Sequence, residues 1–179
     1  MKKKIVRKGY VQIYTGNGKG KTTAALGLAL RACGHGIKTY IGQFMKSRSY
    51  GEFRAIKLLK PYIRIERYGK KGFIHVKKEP DQLDIEFAKK GFEKAKKALL
   101  SKNYGIVVLD EIITAVFFGL ISEAEVLELI KNKPDNVELV LTGRYAPQRL
   151  IDASDLVTEM KEVKHYYSKG VLARKGIEY

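Results

Sequence analysis

Short apolar runs alternate along the chain with longer amphipathic segments. Residues 11–14 are apolar or β-branched, a glycine-rich turn follows, and residues 22–33 are rich in helix-forming residues. This order predicts a strand, a loop and a helix. The segment Gly34-His-Gly36 is expected to end the helix with a left-handed cap, and residues 37–44 predict the next strand.

The same alternation continues through the rest of the chain. Strands that alternate with helices pair in parallel through right-handed crossovers, and the helices cover both faces of the sheet. The pattern therefore predicts an α/β fold with a mostly parallel central sheet. The further predicted elements are strands at residues 63–68, 106–110 and 137–142, a long amphipathic helix at 82–100, and a helix at 122–131 with Ser122 and Glu125 in capping-box register.

The predicted topology also indicates where a ligand binds. In parallel α/β sheets, ligands bind beyond the carboxyl ends of the strands. The length of 179 residues, with 45% hydrophobic residues, predicts one globular domain over residues 1–179. The loops expected to converge on the ligand follow Tyr14, Phe44, Tyr68, Leu109 and Leu141.

The turn between the first strand and the first helix has the composition of a phosphate-binding loop. It consists of Thr15-Gly-Asn-Gly-Lys-Gly-Lys-Thr-Thr23, a variant of Gly-x-x-x-x-Gly-Lys-Ser/Thr in which Thr15 replaces the first glycine. Gly16, Gly18 and Gly20 are expected to let successive N–H groups point into one concavity. The start of the helix adds partial positive charge for phosphate oxygens.

The side chains at the helix start favour a nucleotide site over a plain connecting turn. A turn that merely joins a strand to a helix would explain the glycines, but not Lys19, Lys21, Thr22 and Thr23 at the helix start. We expect Lys21 to neutralise phosphate charge and the Thr22 hydroxyl to reach Mg²⁺, with Thr23 as a further ligand or a contact at the helix start.

Two carboxylates follow the apolar strand at residues 106–109. Asp110 and Glu111 stand where phosphate-loop proteins hold Mg²⁺ or a polarised water. The alternative is a helix N-terminus with acidic residues that favour its dipole. Together the two motifs predict a three-layer fold like that of P-loop NTPases.

The formal net charge of +16, from 35 Lys and Arg against 19 Asp and Glu, would attract polyanions. Two alternative functions are therefore a nucleic-acid-dependent ATPase and a small-molecule kinase. Against the first, the basic residues are dispersed and lack adjacent stacking aromatics. Against the second, no lid insertion stands out, although Arg64, Arg67 and Arg144 are available to contact a phosphate.

Composition also indicates the compartment. No apolar run approaches the ~20 residues of a membrane-spanning helix, and no apolar stretch of the secretory type follows Met1. Cys33 is the single cysteine, which excludes an intrachain disulfide. We expect a cytoplasmic protein without membrane contact.

Seven segments, in order, give the sequence a specific resemblance. Together they resemble the cob(I)yrinic acid a,c-diamide (corrinoid) adenosyltransferases of the P-loop type, from about residue 9 to Tyr179. The segments are Gly16-Asn-Gly-Lys-Gly-Lys-Thr-Thr-Ala-Ala25, Arg31-Ala-Cys-Gly-His-Gly36, Gln43-Phe-Met-Lys46, Val108-Leu-Asp-Glu-Ile112, Leu141-Thr-Gly-Arg144, Val163-Lys-His165 and Gly176-Ile-Glu-Tyr179.

The resemblance implies that the 5′-deoxyadenosyl group of ATP moves to Co(I) of a corrinoid and that triphosphate is released. Because reduced cobalt is itself the nucleophile, the protein needs no nucleophilic Ser or Cys. Its task is positioning and charge stabilisation. The expected catalytic groups are Lys21, assisted by Lys19, and Mg²⁺ or Mn²⁺ held by Thr22, Glu111 and Asp110.

The family also implies further contacts and partners. Asn17 and Arg31 match positions near the nucleotide, although Arg31 is equally able to cover its helix face. Phe73 matches a family segment that lies near the corrinoid. His75 stands where the family usually has Trp, and its side chain could either ligate a metal or serve in packing. For His165, a site role and a structural role stay open. The family implies a homodimer and an electron-donating reductase; nucleic acid is not an expected partner.

Overall fold

The computed structural model describes residues 8–46, 51–69 and 80–179. In these residues, six strands form one sheet in the order β3-β2-β4-β5-β1-β6, and every neighbouring pair is parallel. The predicted α/β class and parallel sheet are confirmed. The strands are β1 Val11–Thr15, β2 Thr39–Phe44, β3 Ile63–Tyr68, β4 Ile106–Asp110, β5 Glu138–Thr142 and β6 Leu156–Glu159.

Three longer helices, α1, α3 and α5, match the predicted ones to within about one residue. The shorter elements α2, α4, α6 and β6 were not predicted, because stretches of four to six residues carry too little periodicity to be recognised. The helices are α1 Lys21–Gly34, α2 Gly51–Ala55, α3 Gln82–Leu100, α4 Ile112–Phe117, α5 Glu123–Lys131 and α6 Gln148–Asp152, with 3₁₀ turns at Ile56–Leu59 and Tyr166–Lys169.

Strand side chains alternate between two apolar layers, one on each face of the sheet. In β4, Val107 and Leu109 belong to the layer that packs on α3, α4 and α5. Ile106 and Val108 belong to the layer that packs on α1. This alternation follows from the two-residue period of a strand, and it confirms helices on both faces. On its buried side, α1 presents the small residues Ala25, Ala29 and Ala32.

The predicted helix ends are also present. Gly36 has φ 70°, the left-handed conformation expected after α1. At the start of α5, the Ser122 hydroxyl accepts a hydrogen bond from the Glu125 N–H at 3.3 Å. The Ser122 N–H in turn donates to the Glu125 carboxylate at 2.8 Å, which completes the capping box.

A pair of buried tyrosines forms a side-chain hydrogen bond between β2 and the edge strand β3. The hydroxyls of Tyr40 and Tyr68 lie 2.5 Å apart, and the Tyr68 hydroxyl donates to Glu66 Oε2 at 2.6 Å. Burial raises the pKa of Tyr40 to about 12 and also raises the pKa of Tyr68. Gly91 of α3 passes directly over Tyr68, because a Cβ at that position would lie 2.3 Å from the Tyr68 ring.

The topology brings the functional segments of the sequence to one edge of the sheet. The turn after β1 lies beside the carboxyl ends of β4 and β5, as expected for ligand binding in such a fold. Among the described residues, no helix has the length and apolar character needed to cross a bilayer.

Candidate active site

A cavity of about 510 Å³ opens at the carboxyl edge of the sheet. It is bounded by the turn between β1 and α1, by the residues that follow β2, β4 and β5, and by the C-terminal segment. The lining residues are Asn17, Gly18, Lys19, Gly20, Lys21, Thr22, Thr23, Leu26, Lys46, Gly51, Glu52, Glu111, Arg144, His165, Gly176, Ile177, Glu178 and Tyr179.

The glycine-rich turn wraps around the ammonium group of Lys21. Gly16 and Gly20 have φ 94° and 125°, values that side-chain-bearing residues rarely adopt. Lys21 Nζ donates to the Gly16 carbonyl at 2.6 Å and to the Gly18 carbonyl at 2.8 Å. Burial lowers the pKa of Lys21, and the negative charge of Glu111 opposes that shift. A cation is therefore held at the centre of the turn.

One amide of this turn does not point into the cavity. The Gly18 N–H donates to the carbonyl of Met160, just after β6, at 2.7 Å. The two segments are so close that a Cβ on Gly18 would lie 2.7 Å from that carbonyl oxygen. The expectation that successive N–H groups share one concavity is therefore wrong for Gly18, because β6, which was not predicted, brings Met160 against the turn.

Asp110 lies beneath the cavity floor and accepts four hydrogen bonds. Its Oδ1 accepts from the hydroxyls of Thr22 at 2.9 Å and Thr142 at 2.7 Å. Its Oδ2 accepts from Gln43 Nε2 at 3.1 Å and Lys46 Nζ at 2.7 Å. The ends of β2, β4 and β5 and the start of α1 are thus tied to one carboxylate, which is only 1% exposed.

Lys46, to which sequence reasoning gave no role, contacts two of the predicted metal ligands. Its Nζ lies 2.7 Å from Asp110 Oδ2 and 3.1 Å from Thr22 Oγ1. Burial alone would lower the pKa of Lys46, but the charge of Asp110 and its hydrogen bond, together with the charge of Glu111, outweigh burial and the pKa is raised. Its place just after a strand that ends at the ligand edge was the available signal.

Glu111 begins α4 and faces the cavity. Its backbone is left-handed, with φ 64°, and its N–H donates to Thr142 Oγ1 at 2.9 Å. The Glu111 carboxylate accepts from Thr114 Oγ1 at 2.5 Å. Thr142 therefore bonds the carboxylate of Asp110 and the backbone N–H of Glu111, so this one side chain positions both residues.

The C-terminal segment packs on the turn through Lys19. Lys19 Nζ donates to Glu178 Oε1 at 2.6 Å, to Tyr166 OH at 3.1 Å and to the Ile177 carbonyl at 3.3 Å. The hydrogen bond from Lys19 holds the pKa of Glu178 well below its usual range. Arg174 extends the network, since its N–H donates to Glu178 Oε2 at 2.7 Å. No periodic pattern in the sequence predicts this contact between the C-terminal segment and the turn.

Among the described residues, the structure brings most of those predicted for the site together, with Arg31 as the exception. Residues 17–23 and Glu111 line the cavity, and so does His165, whose Nδ1 accepts from the Tyr167 N–H at 3.1 Å. Arg31 lies in the last turn of α1, about 15 Å along the helix from Lys21, and is exposed. Phe73 and His75 lie outside the described residues.

The residues at the cavity floor fit a divalent metal such as Mg²⁺. The hydroxyl of Thr22 and the carboxylate of Asp110 supply hard oxygen atoms 2.9 Å apart, and Glu111 offers another carboxylate nearby. The ammonium group of Lys46 contacts Thr22 Oγ1 and the other carboxylate oxygen, Asp110 Oδ2, so a positive charge already lies between these two side chains. So few protein ligands leave room for phosphate oxygens and water, the arrangement that Mg²⁺ favours.

With this geometry in view, comparisons with known proteins are informative. A family model described as ATP:corrinoid adenosyltransferase BtuR/CobO/CobP matches residues 7–179. A corrinoid adenosyltransferase of Sinorhizobium sp. is 36% identical over 182 residues, which cover 100% of this chain and 84% of the relative.

Two further relatives carry the same name. The corrinoid adenosyltransferase of Pseudomonas aeruginosa is 36% identical over 173 residues, covering 96% of this chain and 84% of the relative. That of Escherichia coli is 33% identical over 172 residues, covering 96% of this chain and 86% of the relative. The similarity therefore extends over nearly the whole length of the chains.

Proposed function

The chain belongs to the ATP:corrinoid adenosyltransferase family, and from this premise we propose how its own residues carry out the transfer. The enzyme adenosylates corrinoids with ATP as the donor. The nucleic-acid-dependent ATPase and the small-molecule kinase are not favoured by these similarities. Residue roles, the metal, the assembly and the compartment are the parts proposed below.

Lys21 and Lys19 stabilise the triphosphate as it leaves. During the transfer, a bond forms between cobalt and C5′ of ATP, while the bond from C5′ to the triphosphate oxygen breaks. Negative charge develops on that oxygen, so fixed positive charge beside it lowers the barrier. The support is the cavity position of both lysines, together with the amino end of α1, which begins at Lys21.

Thr22, Asp110 and Glu111 hold the divalent metal, Mg²⁺ or Mn²⁺. When bound, the metal neutralises and orients the triphosphate. Asp110 acts from beneath the cavity floor, and the hydrogen bond from Thr142 fixes its Oδ1. The single observation that carries this assignment is the contact of Thr22 with Asp110 at 2.9 Å beside the phosphate turn.

The turn itself completes the nucleotide site, with contacts to ATP from Gly16, Asn17, Gly18, Gly20 and Thr23. The corrinoid lies near Phe73 and His75, a role that rests on the resemblance alone. So does the role of Arg31 in nucleotide binding, which its position in the last turn of α1 does not favour.

The remaining proposals concern the whole protein. The chain acts as one domain, which the match of the family model to residues 7–179 supports. It works in the cytoplasm as a homodimer, and an electron-donating reductase supplies Co(I). The support for these three points is the resemblance to the family.

Thr22→Val tests the metal site, because valine keeps the shape of threonine and removes its hydroxyl. Thr39→Val is the matched control: Thr39 is buried in β2, and no described residue bonds its hydroxyl. With saturating reduced corrinoid, we expect Thr22→Val to lower kcat/KM for ATP about ten-fold or more and to raise the Mg²⁺ concentration at half-maximal rate.

Thr39→Val is expected to keep the wild-type rate and metal dependence. If Thr22→Val matched the control in both quantities, the proposed metal ligands would be wrong. The established family and reaction would stand, and only the roles of these residues would change.

A further inference from the structure

The ammonium group of Lys46 occupies a position that the proposed mechanism reserves for the metal. It contacts Thr22 Oγ1 at 3.1 Å and Asp110 Oδ2 at 2.7 Å, and these atoms belong to two proposed metal ligands. Lys46 also lines the cavity, so it has access to a bound nucleotide. A lysine therefore lies at the junction between the metal position and the phosphate position.

The local backbone places Lys46 there. Met45, just after β2, is left-handed with φ 56°, and its N–H donates to the Tyr68 carbonyl at 2.8 Å. This turn ends the strand and places Lys46 beside the end of β4. The Lys46 side chain is 18% exposed, and its partner Asp110 is 1% exposed.

The positive charge of Lys46 limits which ions can bind at the same position. Two cations a few ångströms apart in a partly buried site repel each other strongly. A free divalent ion would therefore have to compete with the ammonium group of Lys46 for Thr22 and Asp110. A metal that arrives with a triphosphate brings several negative charges, and these give the displaced lysine a new partner.

We propose that Lys46 is a catalytic residue that occupies the divalent-metal position in the nucleotide-free enzyme and moves to the triphosphate when metal and ATP bind together. This inference rests on the proposed metal site. Two consequences follow: the free enzyme excludes the metal until nucleotide is present, and a third lysine joins Lys19 and Lys21 around the leaving group.

Binding of Mn²⁺ to the protein without corrinoid tests the inference, with electron paramagnetic resonance as the readout of protein-bound Mn²⁺, measured against the same Mn²⁺ and ATP without protein. The wild type is expected to bind Mn²⁺ tightly with ATP and weakly without it. Lys46→Gln removes the resident charge, so we expect it to bind Mn²⁺ without ATP about ten-fold more tightly than the wild type. Lys46→Arg keeps the charge and should stay weak.

Lys97→Gln is the matched control. Lys97 is exposed on α3, and its replacement changes the net charge by the same amount as Lys46→Gln does. It should bind Mn²⁺ as the wild type does. In turnover with reduced corrinoid, Lys46→Gln should lower kcat about ten-fold or more, because a charge on the leaving triphosphate is lost.

The outcomes separate the inference from the proposed function. Tight binding of Mn²⁺ by the nucleotide-free wild type would overturn the inference without any variant. An unchanged affinity in folded Lys46→Gln would overturn it as well, while the metal site stands. If the wild type failed to bind Mn²⁺ even with ATP, the proposed metal site itself would fall.

Discussion

Asp110 and Glu111 are adjacent carboxylates with different surroundings. Asp110 is buried and accepts four hydrogen bonds, one of them from the cation Lys46. A buried carboxylate is tolerated only with such partners, since desolvation of an ion costs several kcal/mol. Glu111 is partly buried at the cavity wall, where Thr114 donates to it. Asp110 thus holds the ends of β2, β4 and β5 together through hydrogen bonds, whereas Glu111 is accessible to a ligand in the cavity.

This difference predicts separate effects of two amide substitutions. Asp110→Asn removes the buried negative charge that pairs with Lys46, so the free energy of unfolding should fall by about 3 kcal/mol. Glu111→Gln should lower the free energy of unfolding by less than about 1 kcal/mol and still reduce kcat about ten-fold or more. Urea unfolding and initial rates measure the two quantities. Equal losses of stability in both variants would contradict this division.

Sequence could identify the residues whose role depends on their neighbours in the chain. Lys21 and Thr22 follow a strand and a glycine turn, and Asp110 and Glu111 follow an apolar strand. The role of Lys46 could not be predicted, because it depends on contact with Asp110, 64 residues away. The contacts of Thr142 with the Asp110 carboxylate and the Glu111 backbone N–H depend in the same way on the spatial order of β4 and β5.

At the scale of elements, the packing of the C-terminal segment on the phosphate turn is the part of the site that pattern analysis missed. It contributes one wall of the cavity and fixes Lys19 through Glu178. Short irregular segments have no period that reveals their packing partner. The strand β6 was missed for a similar reason, since it has four residues, all of them exposed.

Glu178→Gln tests the competition between the C-terminal segment and the triphosphate for Lys19. The loss of this ion pair releases Lys19 to the triphosphate, so ATP binding should tighten about two-fold or more. Isothermal titration calorimetry in the absence of corrinoid measures this change. Glu86→Gln, an exposed site on α3 outside the cavity lining, is the control and should leave the Kd unchanged. Weaker ATP binding in Glu178→Gln would mean that Glu178 positions Lys19 for the nucleotide.

The tyrosine pair between β2 and β3 predicts a loss of stability in alkali. Burial raises the pKa of Tyr40 from its ordinary value of 10.0 to about 12. The stability contributed by the neutral hydroxyl is fully present below pH 10 and is lost as pH rises through 12. Tyr40→Phe should cost about 1 kcal/mol at pH 8 and should unfold with a shallower dependence on pH between 10 and 12.

Urea unfolding at several pH values measures this difference. The matched control is Tyr10→Phe, because Tyr10 is 43% exposed ahead of β1. An identical alkaline slope in the wild type and Tyr40→Phe would contradict the contribution of this hydroxyl.

For the whole molecule, the alternation of strands and helices was enough to predict the class of fold. It specifies parallel pairing and two helical layers, since these follow from chain connectivity and handedness. The spatial order of the strands is set by tertiary packing, which the pattern alone does not contain. The net charge of +16 likewise does not show where an anion binds. The structure does, because four of the basic residues line one cavity: Lys19, Lys21, Lys46 and Arg144.

The most direct test of the central claim is anaerobic spectrophotometry of chemically reduced Co(I) corrinoid with ATP and Mg²⁺. The wild type should consume Co(I), form a light-sensitive adenosylcorrinoid and release one triphosphate for each adenosyl group transferred. Lys21→Ala should lower the rate about 100-fold or more while it remains folded. Formation of ADP in place of triphosphate, with no light-sensitive product from any corrinoid, would contradict adenosyl transfer by this site.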